Sequence, residues 1–270
     1  MRAAPPSAFT PAPTLATNGL SQRFDVEAYR QEGYAVLRGV LDPAECELAQ
    51  SESDRLMQLC GGELDLYSTR LEFEVDHLAL EHRQGMERVI RKIEPISDLS
   101  PFFAQMALRA EVAGPARALF GGEVGLFEDK LNLKLPGGSS YPWHQDWACC
   151  WCAHTDELAT CFVYLDDADL ASGCLQVIPG SHLGRPIYPF RGGGHFEVDP
   201  AAVDISRALP VPLAAGDMIV FDPYLLHFSD LNRGETPRRA VIYTFYPARL
   251  GAVNQARFPA DLPAAGLTSR

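Results

Sequence analysis

The sequence has no apolar run near the ~18 residues that a membrane-spanning helix requires. It is poor in basic residues: 23 Lys and Arg stand against 35 Asp and Glu, a net charge of −12. That balance disfavours a nucleic-acid partner, whose recognition needs a basic face. Cysteine is scarce, and the seven present are odd in number and irregularly spaced. Such spacing is no disulfide framework and fits a reducing, cytoplasmic compartment. Residues 1–20 are rich in Pro, Ala and Thr but lack an apolar core, so they read as a disordered leader and not as a secretory signal. No internal repeat is visible.

What is present is the composition of a globular protein with a sizeable core, 47% hydrophobic and 21% charged in 270 residues. Residues 21–250 are expected to form a single domain, with 251–270 a loosely packed tail. The first third reads as helical. Phe24–Tyr29 suggests a short amphipathic helix stopped by Gly33, then a strand over 34–40. Asp42-Pro43-Ala44-Glu45 supplies an N-cap, a proline at the first helical position and an acidic first turn, opening a helix to about Cys60. Residues 63–98 lack a clear pattern, apart from a candidate strand over 88–93 that carries Lys92. Ser100-Pro101 opens another helix, expected to be interrupted at Gly114-Pro115 and ended at Gly121-Gly122.

After Gly122 the texture turns to strands: 124–135, the stretch around His144, 158–165 and 174–178, with 217–222 and 239–246 as the last two. Two irregular segments, roughly 63–87 and 183–209, read as lid or binding loops. Helices first and strands after argue for an α+β fold with a barrel or sandwich core.

The chemistry centres on Tyr141-Pro142-Trp143-His144-Gln145-Asp146-Trp147. On a strand, alternate side chains share a face, so His144 and Asp146 point the same way with Cα atoms roughly 6–7 Å apart. An imidazole and a carboxylate at that spacing converge on one metal ion, while Trp143, Gln145 and Trp147 take the opposite face. A His-x-Asp pair alone is a weak signal. Aromatic flanks and a distal His227, on another strand edge, strengthen it. Two His and one carboxylate on one face of an ion leave positions open for oxygen and a co-substrate, the arrangement of non-haem Fe(II) oxygenases. The histidines at 77, 82, 154, 182 and 195 lack such a setting.

A 2-oxo acid co-substrate needs a cation for its distal carboxylate, and Arg238 and Arg239 both stand at the start of the last strand. Alternation lets one of them face inward, and spacing does not say which. Cys149, Cys150 and Cys152 lack a second Cys/His pair and read as buried free thiols, not zinc ligands. Lying close to the iron, they would be open to oxidation.

Taken together, these stretches resemble the phytanoyl-CoA dioxygenase family, which includes ectoine hydroxylase, within the Fe(II)/2-oxoglutarate-dependent dioxygenases. The family-like segments are 33–37, 143–147, 173–182, 216–217, 227–229, Asn232 and 237–239, spread over most of 24–247. The resemblance implies a double-stranded β-helix (jelly-roll, cupin-like) core of about eight strands braced by N-terminal helices. It implies iron binding by His144, Asp146 and His227, and a grip on the distal carboxylate of 2-oxoglutarate by Arg238 with help from Ser229. Lys92 matches a co-substrate lysine, Asn132 an asparagine on the preceding core strand, and Phe162 a place often filled by Trp. Gly180-Ser181-His182 matches a family hallmark that holds a turn.

The implied cofactors are Fe(II), 2-oxoglutarate and O2. The implied reaction is hydroxylation of a small molecule, coupled to decarboxylation of 2-oxoglutarate to succinate and CO2, in bacterial biosynthetic or secondary metabolism. Desaturation, epimerisation or cyclisation at the same iron site are alternatives, and a non-catalytic β-barrel ligand-binding protein is the alternative of another class. A nucleic-acid- or protein-modifying dioxygenase is disfavoured by the acidic charge. Asp146 argues against halogenation, for which related enzymes carry Gly or Ala there. Ectoine is not the expected substrate, because the ectoine enzymes carry a Trp one residue nearer to the first His than Trp151 stands here. Tyr141, Trp143, Trp147 and Trp151 are candidates to line a substrate pocket, or else aromatic core. A monomer or homodimer is expected.

Overall fold

The N-terminal elements form where local signals place them. In the structure, a computed structural model that describes residues 24–78, 84–85, 87–149, 154–189 and 197–253, helix α1 (Val26–Glu32) starts at Asp25, whose carboxylate accepts from the Glu27 and Ala28 N–H groups. It stops at Gly33, which takes a left-handed φ of 84°. A Cβ there would stand 2.5 Å from His182 Nδ1, so space as well as backbone conformation demands glycine. Strand β1 (Tyr34–Leu37) follows.

Helix α2 (Pro43–Gly62) carries a full capping box between Asp42 and Glu45. It runs through Gly61 and Gly62, two residues beyond the expected end. The patternless stretch contains the short helix α3 (Leu64–Tyr67) and strands β2 (Leu71–Phe73) and β3 (Ile90–Ile93).

A second boundary also differs from expectation. Helix α4 (Pro101–Leu108), capped by Ser100, gives way to α5 (Ala110–Phe120) at Arg109 and not at Gly114-Pro115. Arg109 leaves the helical region to pair its guanidinium with buried Glu45 at 2.9 Å. Pro115 is kept inside α5, where its missing N–H forgoes only the bond to the Glu111 carbonyl.

Eight strands then wind between two sheets: β4 (Val124–Lys134), β5 (Tyr141–His144), β6 (Ala159–Tyr164), β7 (Leu175–Val177), β8 (Leu209–Val211), β9 (Met218–Phe221), β10 (His227–Ser229) and β11 (Arg238–Pro247). All pairings are antiparallel. One sheet has the order β1-β9-β6-β11-β4-β3-β2 and the other β5-β10-β7-β8. Consecutive strands from β4 onward change sheets at every step but β7 to β8, which is the winding of a double-stranded β-helix. Strand β10 was not foreseen as a strand of its own, since three residues are too few to show a period.

The larger sheet is covered on both faces, so β6, β9 and β11 are buried at every residue. Phe162, Tyr164, Ile219, Phe221, Ala240 and Ile242 face the smaller sheet and meet Leu175, Val177 and Val211. The alternate residues Cys161, Val163, Met218, Val220, Val241 and Tyr243 pack against the helices, with Leu56, Phe103, Met106, Val112 and Ala116. Burial on both sides explains why these strands read as continuous apolar runs. No helix among the described residues is long and apolar enough to cross a membrane. The expected leader, the tail from 254 onward, His82, His195, Trp151, Cys150 and Cys152 lie outside the described residues, as does the side chain of Cys149.

Candidate metal and co-substrate site

β5 ends at His144, and the chain turns so that Trp147 N–H donates to the Pro223 carbonyl at 3.0 Å. Asp146 sits in that turn and not in the strand, yet still shares a face with His144. β10 pairs with β5 and opposes His227 directly to His144. Residues 83 positions apart in sequence thereby stand side by side, with ring centroids 4.0 Å apart. Asp146 Oδ1 lies 3.6 Å from His144 Nε2 and 3.7 Å from His227 Nε2. One ligand atom from each of the three falls within 4.8 Å of the others.

The tautomers follow from the hydrogen bonds. His144 Nδ1 is 2.6 Å from the Pro142 carbonyl and His227 Nδ1 is 3.0 Å from the Leu225 carbonyl. A carbonyl only accepts, so each Nδ1 carries the hydrogen and each Nε2 turns a lone pair towards Asp146. Burial, reinforced at His144 by the neighbouring His227, pushes the two imidazoles down, to about 3 for His144 and about 4 for His227. Neutral imidazoles beside a carboxylate are a donor set that a divalent ion completes. Fe(II) fits it.

The hallmark turn holds the far side of this arrangement. Ser181 Oγ accepts from Leu226 N–H at 2.9 Å, and Ile178 N–H donates to the Leu226 carbonyl at 3.0 Å. Both bonds pin the residue just before His227. His182 lies 3.0 Å from the Arg30 carbonyl through Nε2, tying the turn to α1.

The triad opens on a cavity of ≈180 Å³ between the two sheets. Tyr141, Asn132, Phe162, Lys92, Ser229 and Arg238 line it with the triad, joined by Leu175 and Lys130. Alternation on β11 separates the two arginines. Arg238 enters the cavity, 2% exposed, and donates through Nη1 to the Gly173 carbonyl at 2.9 Å while its buried Nε has no partner. Arg239 leaves by the other face to pair with Asp166 at 2.8 Å and Asp54 at 2.7 Å, bracing β11 against α2. The Asn132 Oδ1 and Tyr141 hydroxyl are also buried without partners. A carboxylate-bearing ligand suits the unmet Arg238 and Tyr141 donors, so 2-oxoglutarate fits as well as iron does.

A family model described as phytanoyl-CoA dioxygenase (PhyH) matches residues 29–240. The chain belongs to this family. Its relatives include a methylphosphonate hydroxylase of Gimesia maris, 30% identical over 52% of this chain and 52% of that protein. A 2-aminoethylphosphonate dioxygenase from an uncultured bacterium is 24% identical over 80% of this chain and 78% of its own length. The chain thus spans about half of the first relative and most of the second. Among solved structures, EctD of S. alaskensis with 2-oxoglutarate and 5-hydroxyectoine superposes with a TM-score of 0.65 at 22% identity, covering 88% of this chain and 82% of that one. The epimerase SnoN from nogalamycin biosynthesis, in complex with Fe3+ and alpha ketoglutarate, superposes at 0.62 with 23% identity over 83% and 82%. The PhyH family is a family of Fe(II)- and 2-oxoglutarate-dependent dioxygenases, and its cofactors match the residues found in the cavity.

Within this PhyH site, two of the expected pocket aromatics are elsewhere. Trp143 and Trp147 do not line the cavity, because strand alternation and the following turn send them to the opposite side. Trp143 stacks on Phe228 at 5.3 Å and Trp147 on Tyr224 at 4.7 Å. Tyr141 is in the cavity wall, under the Arg91 guanidinium at 3.6 Å from the ring centroid. Lys92 reaches the wall held by Glu72 at 2.8 Å and Glu94 at 3.1 Å. Phe162 packs obliquely on Phe221 at 5.1 Å.

Lys130 and Leu175 had not been singled out. Lys130 could have been found by counting two residues back from Asn132 on β4, since both share the inner face. It contacts Glu128; burial works against its charge, but Glu128, Glu94 and Asp146 outweigh that and hold its pKa above the ordinary value.

Proposed function

We propose that this protein hydroxylates a small-molecule substrate, using Fe(II) and O2 and converting 2-oxoglutarate to succinate and CO2. One observation carries the reading: the neutral His144 and His227 pair with Asp146 stands in the same cavity as buried, partly unpaired Arg238. In this reading residues 21–250 act as one catalytic domain, cytoplasmic, as a monomer or homodimer.

Iron, when bound, supplies the redox chemistry that couples oxygen reduction to oxidation of both co-substrate and substrate. His144, Asp146 and His227 would hold it from one face. Arg238 and Ser229 would hold the distal carboxylate of 2-oxoglutarate, and Asn132 and Lys92 line the same cavity. Phe162 and Leu175 would give the cavity wall an apolar surface beside the reacting groups. Two relatives act on methylphosphonate and 2-aminoethylphosphonate by name, which supports a small polar substrate here.

Epimerisation and ring closure use the same fold in SnoN and the carbocyclase SnoK, so a shared fold does not select among these outcomes. The test needs no substrate. Anaerobic addition of Fe(II) and then 2-oxoglutarate to metal-free protein should raise a weak visible charge-transfer band that Asp146→Ala and His227→Ala abolish. Folded protein that retains no iron and gives no band would leave a ligand-binding β-barrel as the better account.

A further inference from the structure

Lys134 ends β4 directly opposite Arg238 in the β4–β11 ladder. Both are interior, Lys134 at 1% exposure and Arg238 at 2%. Two neighbouring cations withdrawn from water repel each other and lose hydration, an arrangement that calls for an anion. Lys134 Nζ donates to Ser229 Oγ at 2.7 Å, to the Asp230 carbonyl at 2.5 Å and to the Ser229 carbonyl at 3.3 Å. All three are neutral oxygens.

The two carboxylates that act on Lys134, Glu74 and Asp230, bond other groups, although the buried Glu74 Oε1 has no partner. Glu74 accepts from the Ser139 N–H and hydroxyl and faces Arg91 at 3.2 Å. Asp230 pairs with Arg233 at 2.6 Å. Burial, with Arg238 and Arg91 close by, pushes the Lys134 ammonium well below its ordinary pKa against the opposing pull of Glu74 and Asp230, so an arriving anion is what favours the charged form.

A serine hydroxyl has one hydrogen and two lone pairs. Lys134 occupies a lone pair of Ser229, which leaves the hydroxyl hydrogen to turn into the cavity that Ser229 and Arg238 line. Lys134 does not itself reach that wall. We propose that Lys134 is a positioning residue for the co-substrate: it orients the Ser229 hydroxyl as a donor to the distal carboxylate and supplies the buried charge that this carboxylate neutralises. The site thereby selects a dicarboxylic 2-oxo acid over a monocarboxylic one. This assignment rests on the co-substrate reading given above.

The test is binding, not turnover. Anaerobic, Fe(II)-loaded full-length protein is titrated with 2-oxoglutarate and with 2-oxovalerate, which lacks the distal carboxylate, and occupancy is read from the visible band. Lys134→Met keeps the stem and removes the charge. It should weaken 2-oxoglutarate binding by about 10–100-fold, the scale of a lost charge-assisted hydrogen bond, and leave 2-oxovalerate unchanged. With Ser229→Ala present, the same substitution should cost clearly less than it does alone, because the two act as a unit.

Equal weakening of both acids, unaltered 2-oxoglutarate binding, or independent losses in the double variant would overturn the assignment. If Lys134→Met does not fold, Lys134→Gln, which is polar but uncharged, carries the test, since it too must weaken only the dicarboxylate. Unsubstituted protein that retains iron and binds neither acid overturns the co-substrate reading itself. Normal binding there with an unselective Lys134 variant overturns the role of Lys134 alone.

Discussion

Asp129 is fully buried on β4, where its carboxylate accepts from the Ile96 N–H at 3.1 Å and the Ser97 N–H at 2.6 Å. Burial outweighs those two bonds and raises its pKa to about 6. The folded state therefore holds a proton that the unfolded state has released between about pH 4 and 6, so stability falls as pH rises through that window. Asparagine keeps an acceptor for both N–H groups and cannot ionise. Asp129→Asn should gain stability on the unsubstituted protein by about 3 kcal/mol between pH 4 and 7, read by denaturant unfolding at each pH. A constant difference across that range would refute the buried ionisation. At Gly173 the constraint is steric: φ is +71° and a Cβ would stand 2.1 Å from the Asp230 carbonyl oxygen. Its own carbonyl holds Arg238. Gly173→Ala should cost about 1–3 kcal/mol of stability and weaken 2-oxoglutarate binding together, whereas a stability loss alone would separate the turn from the site.

At the scale of elements, β10 matters more than its three residues suggest. It is the middle strand between β5 and β7, and it sets His227 against His144. So short a strand cannot fix its own register, and the Ser181 bond to Leu226 N–H supplies the missing anchor. Ser181→Ala leaves that buried N–H unpaired, with an expected cost of about 1–3 kcal/mol. Iron retention during gel filtration should drop with it; iron held as firmly as before would show that sheet pairing suffices. Some expected boundaries tracked their local causes, though α2 ran on through Gly61 and Gly62. The Asp42–Glu45 capping box opened α2 as expected, because a cap and its helix turn are neighbours in sequence. The break at Arg109 was not legible, because its cause is Glu45, 64 residues away.

At the scale of the molecule, the metal ligands come from both sides of one strand pair and the co-substrate residues from both sheets. Ligands that bind only this closed arrangement must stabilise it as a whole. Fe(II), or redox-inert Mn(II), with saturating 2-oxoglutarate should raise the melting temperature; occupancy at ~100 times Kd corresponds to about 2.7 kcal/mol. The keto acid without metal should give a smaller shift, since one of its two anchors is missing. Equal shifts with and without metal would mean that the acid binds away from the triad.

The residue order alone carried the His144-Gln145-Asp146 pair, the distal His227, the helix caps and the succession of helices followed by strands. Each of these is a signal contained in a few neighbouring positions or in a resemblance built from them. Tertiary structure decided what depends on distant partners. It turned Arg238 inward while Asp54 and Asp166 drew Arg239 outward. It took Trp143 and Trp147 out of the cavity and brought Lys130 into its wall. It set Lys134 between Ser229 and Arg238, a placement that β4–β11 register creates and no local pattern contains. A buried charge is tolerated where packing or a bound ligand supplies its counterpart, and both are properties of the folded site rather than of spacing.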